Sequence, residues 1–198
     1  MLNLILTIII AYFIGAIPFS FYVAKKMGNI DIREHGSMNA GATNVYRVLG
    51  AKAGVTALAL DVAKGFLTVF LIQNLFGYEL SLLAAIIVII GHCYSYLLGF
   101  KGGKGIATGV GTVIALAPLT ALILFGIFVL IMIATSYVSL GSITCAALLP
   151  FIAYFNGVPT SFFYFAVPVA LLVILRHRAN IGRLIRGEER KTLIFKKK

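Results

Sequence analysis

Long apolar stretches alternate along this chain with short polar segments. An α-helix needs about 20 residues to cross the hydrocarbon core of a bilayer, and most of the apolar stretches are close to that length. The pattern therefore predicts an all-α polytopic membrane protein. The stretches occupy residues 1–24, 53–76, 80–99, 105–134, 137–156 and 160–176.

Two prolines affect how many helices these stretches form. Pro18 lies inside the first stretch and is expected to kink its helix, because proline lacks the backbone N–H that a helix interior requires. The stretch 105–134 exceeds one crossing, and Ala117–Pro118 can divide it into a short helix and a full one. Simple counting gives six helices, this division gives seven, and merging two later stretches gives five.

The positions of the basic residues favour the seven-helix count. They occur in 25–64, at 101–104 and in 176–198, whereas no charged residue lies between Ile106 and Leu175. The positive-inside rule places all three basic segments on the cytoplasmic side, so an even number of crossings must separate the last two. We expect about seven transmembrane helices, with the N-terminus outside and the C-terminus cytoplasmic; five or six remain alternatives. The tail lysines Lys196–Lys198 are expected to be solvated or to touch anionic headgroups.

The composition excludes two broad classes of protein. Of 198 residues, 61% are hydrophobic and 12% are charged, whereas soluble domains have about 25% charged residues. An ordinary soluble enzyme and a disordered chain are both excluded. The net charge of +11 leaves membrane topology and anion binding as explanations, because basic residues between apolar spans do not form a nucleic-acid surface. We treat residues 1–198 as one domain, with Cys93 and Cys145 as reduced packing residues.

The first polar segment, Gly36–Arg47, is rich in small residues and in side-chain hydrogen-bond donors. Small residues allow tight turns that direct backbone N–H groups at a ligand. The segment is either an anion-binding nest that opens a helix or a capped helix start after a turn. Its candidate donors are Ser37, Asn39, Thr43, Asn44 and Arg47.

The second polar segment combines Gly91–His92 with a glycine-rich run at Phe100–Gly105. Glycine backbone and mobile ammonium groups are suited to phosphate oxygens, so we favour anion binding at Lys101, Gly102, Gly103 and Lys104. The spacing does not match the P-loop, and helix packing through Gly105 and Gly109 would explain some of the glycines. His92 is interpreted as a histidine whose hydrogen bonds are satisfied at a helix end.

The third polar segment, Arg176–Lys191, contains Arg176, Asn180 and Arg183 at i, i+4 and i+7. On one continuous helix these residues form a single polar stripe, although a membrane-surface anchor has a similar pattern. Asp61 and Lys64 stand at i and i+3 in an apolar stretch and are expected to pair, with a substrate contact as the alternative.

Other motifs are absent or ambiguous. Ser142 is either a packing residue or a hydroxyl presented to a ligand. The three histidines are scattered, with no metal-binding spacing, and no metal or cofactor is expected. Both the His-x4-Asp arrangement of one large class of lipid acyltransferases and the GxSxG nucleophile elbow are missing from the sequence.

The three segments, in this order and spacing, resemble the motifs of the bacterial acyl-phosphate:glycerol-3-phosphate acyltransferases of the inner membrane. The matching ranges are Gly36–Asn44 with Arg47 beyond, Gly91–His92 with Phe100–Gly105, and Arg176–Glu189, and Asp61–Gly65 is also similar to the family. This chain has Met38 and Ala40 where the family usually has glycine and proline, and Tyr94–Ser95 where it has Phe-Pro. These departures concern loop stiffness and donor-chain preference rather than the reaction.

The resemblance implies transfer of a fatty acyl group from acyl phosphate to glycerol 3-phosphate, which yields lysophosphatidic acid and phosphate as the first acylation step of phospholipid synthesis. It also implies an inner-membrane enzyme with its active site at the cytoplasmic face, no obligatory protein partner and no nucleic-acid ligand. The residues assigned to catalysis are Lys104, His177, Asn180 and Arg47. The residues assigned to substrate binding are Ser37, Asn39, Thr43, Asn44, Lys101, Gly102, Gly103, Ser142, Arg176, Arg183 and Glu189.

Within this assignment, the backbone of Gly102–Gly103, with Thr43 and Asn44, holds the acyl phosphate. The catalytic residues, with Ser37 and Ser142, hold glycerol 3-phosphate. The substrate hydroxyl proton passes to a phosphate oxygen of the donor or, alternatively, to His177 as general base. A transporter or channel for phosphate or another anion is the second class of function compatible with the polar, glycine-rich breaks between helices.

Overall fold

A computed structural model describes residues 1–192 of the chain, and this part contains α-helices and short 3₁₀ turns but no β-strand. The tail lysines discussed above lie outside the described residues. The helices are α1 (Leu2–Ala16), α2 (Phe19–Gly28), α3 (Ala42–Leu49), α4 (Ala51–Phe76), α5 (Tyr78–Cys93), α6 (Ile106–Leu116), α7 (Pro118–Thr135), α8 (Val138–Phe155), α9 (Phe163–Arg176) and α10 (Arg178–Ile185). The all-helical fold class predicted from the sequence is confirmed.

Among residues 1–192, five helical segments are long and apolar enough to cross a membrane, and a sixth is formed if α9 and α10, which meet at a 58° bend, count as one span. The apolar helix α6 has only 11 residues and would be the seventh. The number of crossings and the orientation of the termini therefore stay predictions. The five long segments are Leu2–Gly28, Ala51–Phe76, Tyr78–Leu98, Pro118–Thr135 and Val138–Phe155.

Both proline predictions are confirmed. The first apolar stretch is interrupted at Pro18, which separates α1 from α2. Pro118 is the first residue of α7, and α6 ends at Leu116, so the stretch 105–134 is divided where the sequence indicated. Proline is accepted at a helix start because the N–H it lacks has no partner inside the helix there.

The chain divides into two compact units, Met1–Leu116 and Ala117–Lys198. In the first unit, α4 packs against α2, α3, α5 and α6, and α1 packs against α5. Glycines allow these close approaches: a side chain on Gly65 would overlap the backbone of Thr108, and one on Gly15 would overlap that of Val88. Small residues let membrane helices approach closely, and this packing brings the polar faces of α2, α4 and α5 together.

In the second unit, α8 packs between α7 and α9, and α10 contacts α8 and α9. The third polar segment does not form one continuous helix. The N–H of His177 bonds to the carbonyls of both Val173 and Ile174, a tightened turn that often ends a helix. The chain bends there, so Arg176 ends α9 while Asn180 and Arg183 belong to α10.

We predict that Gly65→Ala destabilises the protein relative to Gly126→Ala. Both changes improve helix propensity by about 1 kcal/mol, but only the methyl group on Gly65 meets backbone, since nothing lies within 4 Å of a Cβ on Gly126. Because overpacking costs about 1–3 kcal/mol, the thermal unfolding midpoint of Gly65→Ala in detergent should lie below that of the control. Equal midpoints would show that the close approach of α4 and α6 tolerates a methyl group at position 65.

Candidate active site

Asn44 holds the loop that precedes α3. Its Oδ1 accepts a hydrogen bond from Ser37 N at 2.9 Å, and its Nδ2 lies within 3.1 Å of the carbonyl oxygens of Ile32, His35 and Asn39. The side chain is buried, so these bonds are protected from water. The amide of Asn44 is thus engaged in fixing the loop that carries Ser37 and Asn39, and its assignment as a direct ligand of acyl phosphate stays a prediction.

The same loop contains two residues in the left-handed region, Gly36 at φ 60° and Met38 at φ 57°. A side chain on Gly36 would overlap Asn44 Oδ1, so glycine is required there. Met38 adopts a conformation that costs a non-glycine residue about 1–2 kcal/mol. Its side chain is exposed and packs against little else. Methionine in place of the glycine usual in the family therefore affects the conformation of the loop backbone rather than side-chain packing.

The helix that was predicted to open within the first polar segment is α3. Its N-cap is Gly41, and no side chain caps it, which argues against the capped-start interpretation. Thr43 lies in the first turn and Arg47 one turn later, on the same side of the helix. Ser37, Asn39, Thr43 and Arg47 are all partly exposed.

The glycine-rich loop is attached to the end of α5 by its backbone. Gly102 N donates to Cys93 O at 3.1 Å, and Gly103 N donates to His92 O at 3.2 Å. A side chain on Gly103 would overlap the imidazole of His92. Both amides therefore bond to α5 and the glycines allow close packing, and the expectation that the two amides hold the acyl phosphate stays a prediction.

The charged residues of this loop lie nearer to solvent. Lys101 is exposed and Lys104 is partly buried, two residues before α6 begins. Gly105 adopts φ 88° and directs the chain into the helix. The loop thus presents two ammonium groups on a backbone that is hydrogen-bonded to the end of α5.

An ion pair connects the two loops of the first unit. Arg33 binds Asp31 at 2.7 Å and also donates from Nη1 to the carbonyl of Leu98 at 3.4 Å. The hydrogen bond from Arg33 lowers the pKa of Asp31 below its ordinary value. The guanidinium of Arg33, oriented by Asp31, therefore holds the loop that precedes α3 to the loop that follows α5.

A buried polar cluster lies between α2, α4 and α5. Lys64 Nζ is 2.8 Å from Asp61 Oδ1, which confirms the predicted pairing. Ser20 donates to Asp61 Oδ2 at 2.7 Å, Lys64 also donates to Ile17 O at 2.8 Å, and His92 Nδ1 lies 3.0 Å from Lys64 Nζ. The i, i+3 spacing identified the pair, whereas its partners on other helices gave no signal in the sequence.

In the second unit, the carboxylate of Glu189 binds three donors. Its Oε1 accepts from Asn180 Nδ2 at 2.7 Å and from Ser139 Oγ at 2.8 Å, and its Oε2 accepts from Arg183 Nε at 2.7 Å. Both oxygens are thus occupied, which argues against the predicted substrate contact of Glu189. The sequence did not single out Ser139, whose partner lies 50 residues further along the chain.

These contacts also determine the charge of Glu189. Burial alone would raise the pKa of this carboxyl, but the hydrogen bonds from Asn180, Ser139 and Arg183 outweigh it and hold the pKa below its ordinary value. Glu189 is therefore ionised at neutral pH and fixes the side chains of Asn180 and Arg183.

His177 is buried at the bend between α9 and α10. Its Nδ1 lies 2.8 Å from Val173 O, and because a carbonyl oxygen only accepts, Nδ1 carries the proton. If His177 acts as a general base or contacts a phosphate, it therefore does so through Nε2.

The remaining predicted residues of this unit are Arg176 and Ser142. Arg176, the last residue of α9, is partly buried. Ser142 is buried in α8 and donates to Val138 O at 2.8 Å, so its hydroxyl would have to rotate to donate to a phosphate. No group of three or more potential metal ligands occurs among residues 1–192.

Comparisons with known proteins agree with one another. The family model described as glycerol-3-phosphate acyltransferase matches residues 5–187. The glycerol-3-phosphate acyltransferase of Endomicrobium trichonymphae is 48% identical and covers 100% of both chains. That of Fusobacterium nucleatum subsp. nucleatum is 45% identical, over 93% of this chain and 95% of its own.

Two crystal structures of PlsY, an integral membrane glycerol 3-phosphate acyltransferase, share the fold. Its glycerol 3-phosphate form has a TM-score of 0.91 and 37% identity, with 98% of this chain and 99% of that chain covered. Its lysophosphatidic acid form has a TM-score of 0.89 and 38% identity, with 95% and 94% covered. These relatives favour the enzyme over the anion transporter, and the chain belongs to the glycerol-3-phosphate acyltransferase family.

Proposed function

We propose that this acyltransferase uses acyl phosphate as its donor and releases lysophosphatidic acid and inorganic phosphate. The observation that carries the proposal is the glycine-rich loop, which is fixed to α5 through Gly102 and Gly103 and bears Lys101 and Lys104. Cationic groups on a fixed loop can stabilise the charge of a departing phosphate without reorganisation. The missing His-x4-Asp arrangement is consistent with an activated donor whose own phosphate takes the proton of the acceptor hydroxyl.

In the first unit, Lys104 and Arg47 bind phosphoryl oxygens as charge-assisted donors, and Thr43, Ser37 and Asn39 add polar contacts. Lys101, which is exposed, attracts phosphorylated ligands to the loop. Asn44, Gly102 and Gly103 act indirectly by fixing the two loops. The identity of Arg47 as an arginine matters, because its planar guanidinium can bind two phosphate oxygens at once.

In the second unit, His177 and Asn180 bind glycerol 3-phosphate, with support from Arg176, Arg183 and Ser142. Glu189 fixes Asn180 and Arg183 through the hydrogen bonds described above, so that the amide and the guanidinium are already oriented when substrate arrives. Orientation of this kind reduces the entropy lost on the way to the transition state.

The reaction is a direct transfer. A hydroxyl oxygen of glycerol 3-phosphate attacks the carbonyl carbon of the acyl phosphate, and a new ester C–O bond forms. The bond between that carbon and the phosphate oxygen breaks, and phosphate leaves with the electron pair. The hydroxyl proton passes to an oxygen of the same phosphate, so the reaction needs no covalent enzyme intermediate.

We further propose seven crossings of a bacterial inner membrane, with the N-terminus outside, the C-terminus cytoplasmic and the phosphorylated substrates bound at the cytoplasmic face. The positions of the basic segments and the break at Pro118, which makes α6 a separate short helix, support this arrangement. The enzyme acts in this proposal as a single domain without an obligatory protein partner or cofactor.

Purified protein in detergent should convert palmitoyl phosphate and glycerol 3-phosphate to lysophosphatidic acid and phosphate in equal amounts. Palmitoyl-CoA and palmitoyl-acyl carrier protein should not replace the donor, because the loop recognises the phosphate. Lys104→Met should lower kcat/KM about 10- to 100-fold, the loss expected for one charge-assisted hydrogen bond.

Lys25→Met is the matched control, because Lys25 lies in the last turn of α2 and is assigned to membrane topology. It should leave kcat/KM unchanged within a factor of two or so, well below the effects usual for catalytic groups. Equal rates with the thioester donors, or no product from palmitoyl phosphate, would contradict the proposed donor.

His177→Gln separates the two assignments of the proton. If the donor phosphate takes the proton, the variant should lose affinity, so that KM for glycerol 3-phosphate rises while the pH profile of kcat keeps its shape. If His177 is the general base, kcat should fall with KM little changed and the pH profile should flatten. Steady-state kinetics over a range of pH values distinguishes these results, and the second one contradicts substrate-assisted transfer.

A further inference from the structure

The buried cluster of Asp61, Lys64 and His92 has no part in the chemistry proposed above. Lys64 Nζ has three acceptors around it: Ile17 O at 2.8 Å, Asp61 Oδ1 at 2.8 Å and His92 Nδ1 at 3.0 Å. A lysine ammonium has three N–H donors; two of them bond to Ile17 O and His92 Nδ1, and Asp61 Oδ1 is the ion-pair partner of the charge. The side chains of all three cluster residues are almost completely inaccessible to solvent.

The contacts of Lys64 determine the state of His92. An ammonium group cannot accept a hydrogen bond, so His92 Nδ1 must be the acceptor and the ring proton lies on Nε2. The distance from Nδ1 to Asp61 Oδ1, 3.5 Å, is longer than that to Lys64. We therefore assign His92 as neutral, with its Nδ1 edge fixed by the ion pair.

The opposite edge of the same ring lies under the glycine-rich loop. The position that a side chain of Gly103 would occupy overlaps His92 Nε2. The backbone carbonyl of His92 accepts from Gly103 N, and that of Cys93 accepts from Gly102 N. Ring and backbone at the end of α5 thus support the two residues that precede Lys104.

Stability alone is a poor reason for such a cluster. A buried ion pair can often be replaced by apolar residues without loss of stability, because desolvation offsets the Coulomb attraction. A loop with adjacent glycines, by contrast, has high backbone conformational freedom, because glycine has no side chain to restrict it. Such a loop needs contacts with the rest of the protein to hold one conformation. The cluster lies where such contacts are needed.

We propose that Asp61, Lys64 and His92 form a positioning network: the ion pair fixes the imidazole, and the imidazole fixes the glycine-rich loop so that Lys104 is held for phosphate binding. The inference rests on the proposed function for its kinetic consequence but not for its structural one. The network residues are positioning residues, since none of them contacts substrate in this scheme.

Two substitutions of His92 separate the two edges of the ring. In His92→Asn the amide oxygen can replace Nδ1 as the acceptor for Lys64, while nothing replaces the Nε2 edge beneath Gly103. In His92→Gln the longer side chain reaches the Nε2 position with an N–H donor, while the acceptor for Lys64 is lost. The pair therefore tests whether stability and loop position depend on different edges.

The measurements are hydrogen exchange of the peptide covering residues 96–105, the thermal unfolding midpoint, kcat, and KM for both phosphorylated substrates, palmitoyl phosphate and glycerol 3-phosphate. His92→Asn should keep a midpoint near that of the wild type but speed exchange in the loop at least tenfold and raise KM about tenfold or more, with kcat nearly unchanged. His92→Gln should lower the midpoint but restore loop protection and KM toward wild-type values.

His35→Asn is the matched control, because His35 is an exposed histidine of the same unit, and it should change none of these quantities. A purely structural role would give the opposite pattern: both His92 variants would lose stability and apparent kcat together, with loop exchange and KM unchanged, and this would overturn the proposal. If wild-type protein fails to use palmitoyl phosphate, the proposed donor is wrong, and loop exchange in His92→Asn still decides the positioning role.

Discussion

The first unit depends on one constraint, that charges buried among apolar helices must be neutralised inside the protein. Asp61 and Lys64 lie on α4 where helices α2 and α5 pack against it, and an unpaired charge at such a place is costly. The pair satisfies the constraint with help from other parts of the unit: Ser20 donates to Asp61 Oδ2, and Ile17 O and His92 Nδ1 accept from the ammonium of Lys64. Because the carbonyl of Ile17, at the break beside Pro18, accepts from both Phe19 N and Lys64 Nζ, the interruption of the first apolar stretch and the ion pair are parts of one arrangement.

The same principle holds at two further buried polar residues, Asn44 and Glu189. Asn44 directs its amide to backbone groups of the preceding loop, and Glu189 gathers three side-chain donors around a single carboxylate. In each case a buried polar group that is fully hydrogen-bonded fixes a segment with little regular structure. In the proposed reaction the partly buried cations Arg47, on α3, and Lys104, on the glycine-rich loop, bind phosphate beside segments whose shape is set before it arrives. Preorganisation of this kind is what electrostatic catalysis requires.

Much of this could be predicted from the sequence, because the relevant signals are local. Apolar length gave the helices, Pro118 gave the division of the longest stretch, and the i, i+3 spacing gave the Asp61–Lys64 pair. The roles of individual polar residues were harder to predict, because they depend on partners distant in the chain. The side chains of Asn44 and Glu189 are of types that often bind ligands, and only their contacts in the structure show that they fix protein segments. The bend at His177 was missed for a related reason, since helical periodicity continues through it.

The most direct test of the central constraint is a double-mutant cycle on the buried pair, with Asp61→Asn, Lys64→Gln and the double variant compared by unfolding in detergent. Each single change leaves one charge buried without its partner, which typically costs about 3–5 kcal/mol. The account predicts that the double variant is more stable than the sum of the single effects allows, with a coupling energy of at least about 2 kcal/mol. Additive effects of the two substitutions would show that the pair does not organise the unit and would contradict the account.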